Sequence, residues 1–332
     1  MKKVFDVKWK ADNLVTSSPQ QPNQPTYHLP PTMSYKPTVP HSRLLKAAGE
    51  LIQGITTEAE AIVAENPNGK ASTWAGVFRK LITLAHVLES GQPLIKSAFA
   101  VFKEDGNSKL PFTAFSSMAV LDCPARGACE NWCYSKSAWR NPNAAGRQIS
   151  NSMLLRYAMG RAFIAAEFGR IKGDVLRLYV DGDFHSIDNL RFWMDLLKTR
   201  PEVACYGYSK SWEIFISLHL SRYEFPSNYI LNLSGGSKYD GRIGDCTREI
   251  MMQLPITRGV FAAYQVPSHH MTSKAYQSKR NEGHAAYAAD VRKAAGKRVF
   301  VCAGRCGDCL PDGTHACGSE RFRGIEIAIG IH

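Results

Sequence analysis

"DVLRLYVDGDFHSIDNLRFWMDLLKTRPEVACYGYS", residues 174–209, carries the pattern from which the architecture follows. An apolar run over 174–184 breaks into a polar, glycine-containing turn at Asp181, Gly182 and Asp183. Residues 186–199 then space their apolar side chains as one face of a helix, and a second apolar run covers 202–209. Strand, helix and strand in this order make a crossover between parallel strands. The same alternation extends to both sides, with strands predicted at 110–118, 228–236, 259–266, 297–304 and 324–331. Helices are predicted near 144–171, 211–223, 241–253 and 272–295. No glycine-rich dinucleotide fingerprint accompanies them, so the expectation is an α/β fold with a partial or full (β/α) barrel-like parallel sheet, not a Rossmann sheet.

Upstream the texture differs. Seven of the 17 prolines lie in residues 1–41, which predicts an extended arm. Residues 42–108, including "SRLLKAAGELIQGITTEAEAIVAEN" and "STWAGVFRKLITLAHVLESG", have helical periodicity and form an N-terminal helical extension. The expected division is an arm at 1–41, helices at 42–108 and the barrel-like domain at 109–332. No stretch approaches about 18 uncharged apolar residues, and no apolar leader follows the first lysines, so a cytoplasmic protein without membrane spans is expected.

Nine cysteines cannot all pair within one chain. Seven fall in two clusters, Cys123-x5-Cys129-x3-Cys133 and Cys302-x3-Cys306-x2-Cys309-x7-Cys317. Short glycine-rich loops can bring such thiolates onto a soft metal, which predicts an iron–sulfur cluster of the 4Fe-4S type, with zinc as the alternative. Cys205 and Cys246 are expected to be ordinary buried thiols. The first cluster, with three cysteines, either borrows a ligand from His185, His315 or the other cluster, or leaves a position open.

An open iron is the arrangement of radical S-adenosylmethionine enzymes, whose signature is C-x3-C-x2-C with an aromatic residue before the last cysteine. Trp132 precedes Cys133, but the gaps there are longer; the spacing itself occurs at 302–309, after a late strand and without the aromatic residue. In barrel folds chemistry gathers at the carboxyl ends of the strands. Those ends offer Asp181, Asp183, Ser209, Lys210, Asn232, Ser234 and Gln265 as candidate cofactor or barrel-mouth residues, although Asp, Ser and Asn also serve in caps and turns.

The chain carries net charge +12. Residues 123–172 and 268–305 each hold eight lysines and arginines against two acids, a net +6 beside each cysteine cluster. Arg126, Lys136, Arg140 and Arg147 in the first segment, and Lys279, Arg280, Arg292 and Lys293 in the second, are candidate nucleic-acid contacts, with Trp132, Tyr134 and Trp139 to stack on bases. No GxxxxGK(S/T) loop, HExxH helix or recognisable Ser-His-Asp order is present, which sets hydrolase, ATPase and metalloprotease readings aside.

Several motifs occur together in order: "CP" followed by "CxxxCY" at 123–134, "DGDFHS" at 181–186, "YSKSW" at 208–212, "LNLSGGS" at 231–237, the late cysteines, and the closing "IEIAIGIH". By these motifs the region from about residue 110 onward resembles the gene product 88 domain family of phages and plasmids. Asp181 stands where that pattern has a small residue such as serine, and Ser209 where a threonine is common. The resemblance implies a mobile-element origin and a metal cluster, and settles no activity. The combined expectation is an iron–sulfur protein of a plasmid or phage that acts on nucleic acid in DNA binding, replication, maintenance or regulation. Its alternatives are a radical S-adenosylmethionine-like enzyme using Cys123, Cys129 and Cys133, and a zinc-stapled scaffold for a partner protein.

Overall fold

In the computed structural model, which describes residues 39–106, 110–240, 246–267, 282–310, 312–313 and 315–330, the helical extension forms α1 (His41–Ile52), α2 (Thr57–Ala64) and α3 (Trp74–Glu89). Thr73 caps α3 by accepting a hydrogen bond from the Gly76 amide. The expected arm lies almost wholly outside the described residues, as do Lys279 and Arg280.

The extension is not a body apart. Leu44, Leu51, Phe78 and Leu81 join one continuous hydrophobic core with Phe115, Leu176, Leu178, Leu231 and Leu233 of the sheet. Burying apolar side chains at about 25 cal/mol per Å² binds the helices to the sheet they cover.

Two short strands follow, β1 (Phe102–Lys103) and β2 (Thr113–Phe115), and then α4 (Ser135–Ala138), α5 (Pro142–Leu154) and α6 (Ala158–Phe168). The alternation continues as β3 (Val175–Leu178), α7 (Ile187–Lys198), β4 (Ala204–Ser209), α8 (Trp212–Leu220), β5 (Tyr229–Ser234), α9 (Thr247–Gln253), β6 (Thr257–Tyr264), α10 (Glu282–Ala295), β7 (Phe300–Val301) and β8 (Ile327–Gly330). Among the described residues no helix is long and apolar enough to cross a membrane.

The strands form one sheet in the order β1-β2-β3-β4-β5-β6-β8-β7, all parallel except β1. From β2 to β6 each crossover steps to the next position in the same direction. Right-handed crossovers of this kind place their helices on one face, as in a barrel wall. Among the described residues the order runs from β1 to β7, a mostly parallel barrel-like wall.

Alternation along the strands gives the sheet two different faces. Leu176, Leu178, Cys205, Leu231 and Leu233 meet the helices. Val175, Tyr206, Tyr208, Ile230 and Phe261 face the other way, where Ala316, Cys317 and Phe322 cover them. The inner face is thus closed by the cysteine-bearing segment after β7.

Several elements are shorter than predicted. β3 stops at Leu178 because Tyr179 takes a left-handed backbone (φ 56°), and its buried hydroxyl donates to Asn189 Oδ1 at 2.7 Å while accepting from Trp193 Nε1 at 3.1 Å. The helix expected over 144–171 divides into α5 and α6. Gly160 packs so closely on the end of α5 that a Cβ there would lie 2.2 Å from the Leu154 carbonyl oxygen.

Candidate metal centre

At the carboxyl ends of the strands Asp183, Ser209, Lys210 and Ser234 come together in one network, while Asp181, Asn232 and Gln265 lie outside it. The buried Asp183 carboxylate accepts from Ser209 Oγ (2.7 Å), the Lys210 amide (2.7 Å) and the Phe184 amide (2.8 Å), and Lys210 Nζ donates to Ser234 Oγ at 2.7 Å. Asp181 accepts from Ser135 Oγ at 2.6 Å. Burial raises the pKa of both carboxyls, and these hydrogen bonds oppose the rise. Both carboxylates accept hydrogen bonds from neighbouring protein groups, Asp183 from the end of β4 and Asp181 from Ser135. Gln265 follows the end of β6 and is exposed.

The first cysteine loop lies across this edge. The Gly127 and Cys129 amides both donate to the Gly236 carbonyl (3.2 and 3.1 Å), and the Lys238 amide donates to the Ala125 carbonyl at 3.1 Å. Gly236 has φ 78°, and a Cβ on it would fall 2.8 Å from Cys129 Cβ, so the close approach requires glycine. Burial pushes the Cys123 thiol above its ordinary range, and the nearby Asp183 adds to the shift. Tyr134 is 60% exposed through its ring, while its hydroxyl turns inward and donates to the Val180 carbonyl.

The second cysteine loop crosses the inner face and is held by two buried side chains. Arg258 of β6 donates through Nε to Asn232 Oδ1 (2.6 Å) and through its terminal nitrogens to the carbonyls of Phe322 (2.9 Å), Ile325 (2.8 Å) and Val260 (3.3 Å). Asn232 in turn donates to the carbonyls of Gly207 (3.1 Å) and Cys317 (2.9 Å). The sequence assigned Asn232 to a barrel mouth; it sits instead on the inner face and fixes the backbone of Cys317.

Around that anchor the four late thiols influence one another. Burial pushes Cys302 up to about 11, with Cys309 and Cys306 adding to it, and pushes Cys317 up to about 12, with Cys302 and Cys306 adding to it. Cys309 is raised by burial and by Cys306. The Tyr206 hydroxyl reaches Cys306 Sγ at 3.6 Å. His315 lies with its ring centre 4.5 Å from that of Tyr206 and 4.8 Å from that of Phe112, and its buried Nε2 has no hydrogen-bond partner. Burial, with Arg177 nearby, lowers the His315 pKa to about 4, which keeps the imidazole neutral.

All nine cysteines are free. Among the described residues no three His, Cys, Asp or Glu side chains stand at metal-ligand spacing. The donor set still fits a soft metal in kind: four thiols on one short segment, none in a disulfide, and in the same segment an imidazole nitrogen, His315 Nε2, without a hydrogen-bond partner.

The basic residues divide. Arg126 donates to Glu130 and to the carbonyls of Val120 and Cys123, and Lys136 donates to the Glu130 carbonyl, so both brace the first loop. Arg147 is half-buried with its Nε lacking a partner, and burial lowers its pKa; it is not a surface phosphate contact. Arg140, Arg292 and Lys293 are exposed. Of the expected stacking aromatics, Trp139 is fully buried and donates to Gln148 Oε1 at 2.9 Å, which removes it from any surface role. Cys246, expected to be buried, is exposed.

Sequence reasoning passed over Arg177, Arg258, Tyr206 and Tyr208. A signal was present for the arginines: each interrupts an otherwise apolar strand, in "VLRLY" and "ITRGVF", where a charge needs a buried partner.

Fold and site together define a mostly parallel α/β protein whose inner sheet face is closed by a cysteine-rich segment. The chain belongs to the gene product 88 family, whose model matches residues 87–322. That match takes in β1 and the end of α3, so it begins earlier than the motifs alone indicated. No curated protein and no solved structure matches the chain.

Proposed function

We propose that this is an iron–sulfur protein of a mobile element that acts on nucleic acid, with Cys302, Cys306, Cys309 and Cys317 as the cluster ligands. The observation that carries the reading is the gathering of the late cysteines against the inner face of the sheet, with Cys317 buried, Cys302 and Cys309 partly buried, and Cys306 against the Tyr206 hydroxyl. Buried thiols without disulfide partners have no structural need to gather, whereas metal–thiolate bonds would give them one. When bound, such a cluster supplies one-electron chemistry or a rigid cross-link. The protein's own part is to hold the Cys317 backbone through Asn232 and to keep the Cys306 sulfur against Tyr206.

The nucleic-acid half of the proposal draws on the overall charge of +12 and on the exposed Arg140, Arg292 and Lys293. Anaerobic purification followed by measurement of iron, sulfide, zinc and visible absorption tests the cluster. Iron with sulfide and a brown colour, lost in C302A and C317A, is the expected result. Stoichiometric zinc in a colourless protein would overturn it in favour of a zinc-stapled scaffold. DNA binding that weakens steeply with salt, with a shallower slope in an Arg292→Ala, Lys293→Ala double variant, is expected for the second half; salt-independent or absent binding would remove it.

A further inference from the structure

Arg177 of β3 projects onto the inner face of the sheet, in register with Tyr206 of β4. Its guanidinium lies 4.8 Å from the centre of the Tyr208 ring, and its buried Nε has no hydrogen-bond partner. Among the described residues no carboxylate forms an ion pair with it. Asp181 feels its charge but spends its oxygens on serine hydroxyls. The contrast with other enclosed arginines is plain. Arg258 meets oxygen acceptors and Arg156 pairs with Asp122 at 2.7 Å, whereas Arg177 packs on the Tyr208 ring.

A half-buried cation whose Nε is buried without a partner is costly to hold, and the cost is relieved when an anion forms beside it. Four thiolates around a divalent ion, or around a cluster core, leave a net negative charge on the same face. Tyr206 links the two groups, since it is the cross-strand partner of Arg177 and its hydroxyl touches Cys306 Sγ. We infer that Arg177 is the counter-charge of the thiolate centre formed by Cys302, Cys306, Cys309 and Cys317, and that it strengthens metal binding without ligating the metal. This inference rests on the metal–thiolate reading above.

The test uses the full chain, reduced and metal-free, titrated anaerobically with Co²⁺ against a chelator, with thiolate-to-cobalt absorption as the readout. Arg177→Gln is expected to weaken Co²⁺ binding at least about tenfold, in the range usual for residues just outside the ligands, while the saturated spectrum stays the same. Arg177→Lys keeps the charge and is expected to bind within about threefold of wild type. Arg177→Met serves as the neutral variant if Arg177→Gln does not fold. Neutral variants that bind as wild type does, or a lysine variant that loses as much as the neutral ones, would overturn the counter-charge role alone. A wild-type chain that develops no thiolate band would overturn the metal reading and this inference with it.

Discussion

The two cysteine loops look alike in sequence and are built differently. Each leaves the carboxyl end of a parallel strand and contains glycines. The loop at 123–133 is clipped to residues 236–238 by backbone hydrogen bonds, and no other cysteine is among the groups that shift Cys123. The loop from Cys302 onward is anchored by the side chains of Arg258 and Asn232 from inside the sheet, and its thiols shift one another. A loop held by its own backbone depends on which residues can adopt the turn. A loop held by buried side chains depends on distant strands, and its thiols gather where those strands direct them.

Arg258→Ala should have the largest effect, because it strips donors from the carbonyls of Phe322 and Ile325 and from Asn232. A loss of about 4 kcal/mol in urea unfolding is expected, at about 1.5–3 kcal/mol per hydrogen bond to a charged group with partial relaxation. Arg258→Lys should recover less than half, since an ammonium cannot span the same acceptors. If the late loop were held by its own backbone, the cost would be under about 1 kcal/mol.

Gly236→Ala makes the complementary change in the first loop. The left-handed backbone and the 2.8 Å approach to Cys129 should together cost about 2 kcal/mol. Thiol labelling should accelerate at Cys129 and stay unchanged at Cys317; equal acceleration at both would mean that the loops are coupled.

A third difference concerns acid. Burial, then Arg156, pushes His185 down to about 4, with Asp122 opposing. In the unfolded chain the ring titrates near 6.5. The contribution of the neutral ring is therefore complete above pH 6.5, declines as pH falls towards 4, and is gone below that. Between pH 7 and 4.5 wild type should lose about 1–2 kcal/mol more than His185→Gln, after discounting for the ring's partial exposure. Parallel losses in the two proteins would contradict the assignment. Smallest of all, Cys246→Ser should change the unfolding free energy by less than about 0.5 kcal/mol, as expected for an exposed side chain. Cys246 should also be the first thiol labelled in wild type.

Much of this architecture was legible in the sequence. The run from Asp174 to Ser209 gave the parallel crossover because apolar alternation survives in a sheet with one face against helices. The cysteine spacings marked both loops. What sequence could not show is which strand each loop returns to. Asn232 reads as a strand-end polar residue until the fold places Arg258 and Cys317 on either side of it. Trp139 reads as a surface aromatic because its partner Gln148 lies in the following helix, and Gln265 reads as a mouth residue only if β6 continues past Tyr264.

The strand order β6-β8-β7 has a consequence for how the chain is made. β7 leaves the ribosome before β8, yet among the described residues it pairs with the rest of the sheet only through β8. The wall from β2 to β6 can assemble in order of synthesis, while β7 and the cysteines that follow it must wait, unpaired, for the later strand to arrive. During that interval the late thiols are open to solvent, and insertion of β8 ends the interval by drawing the segment shut.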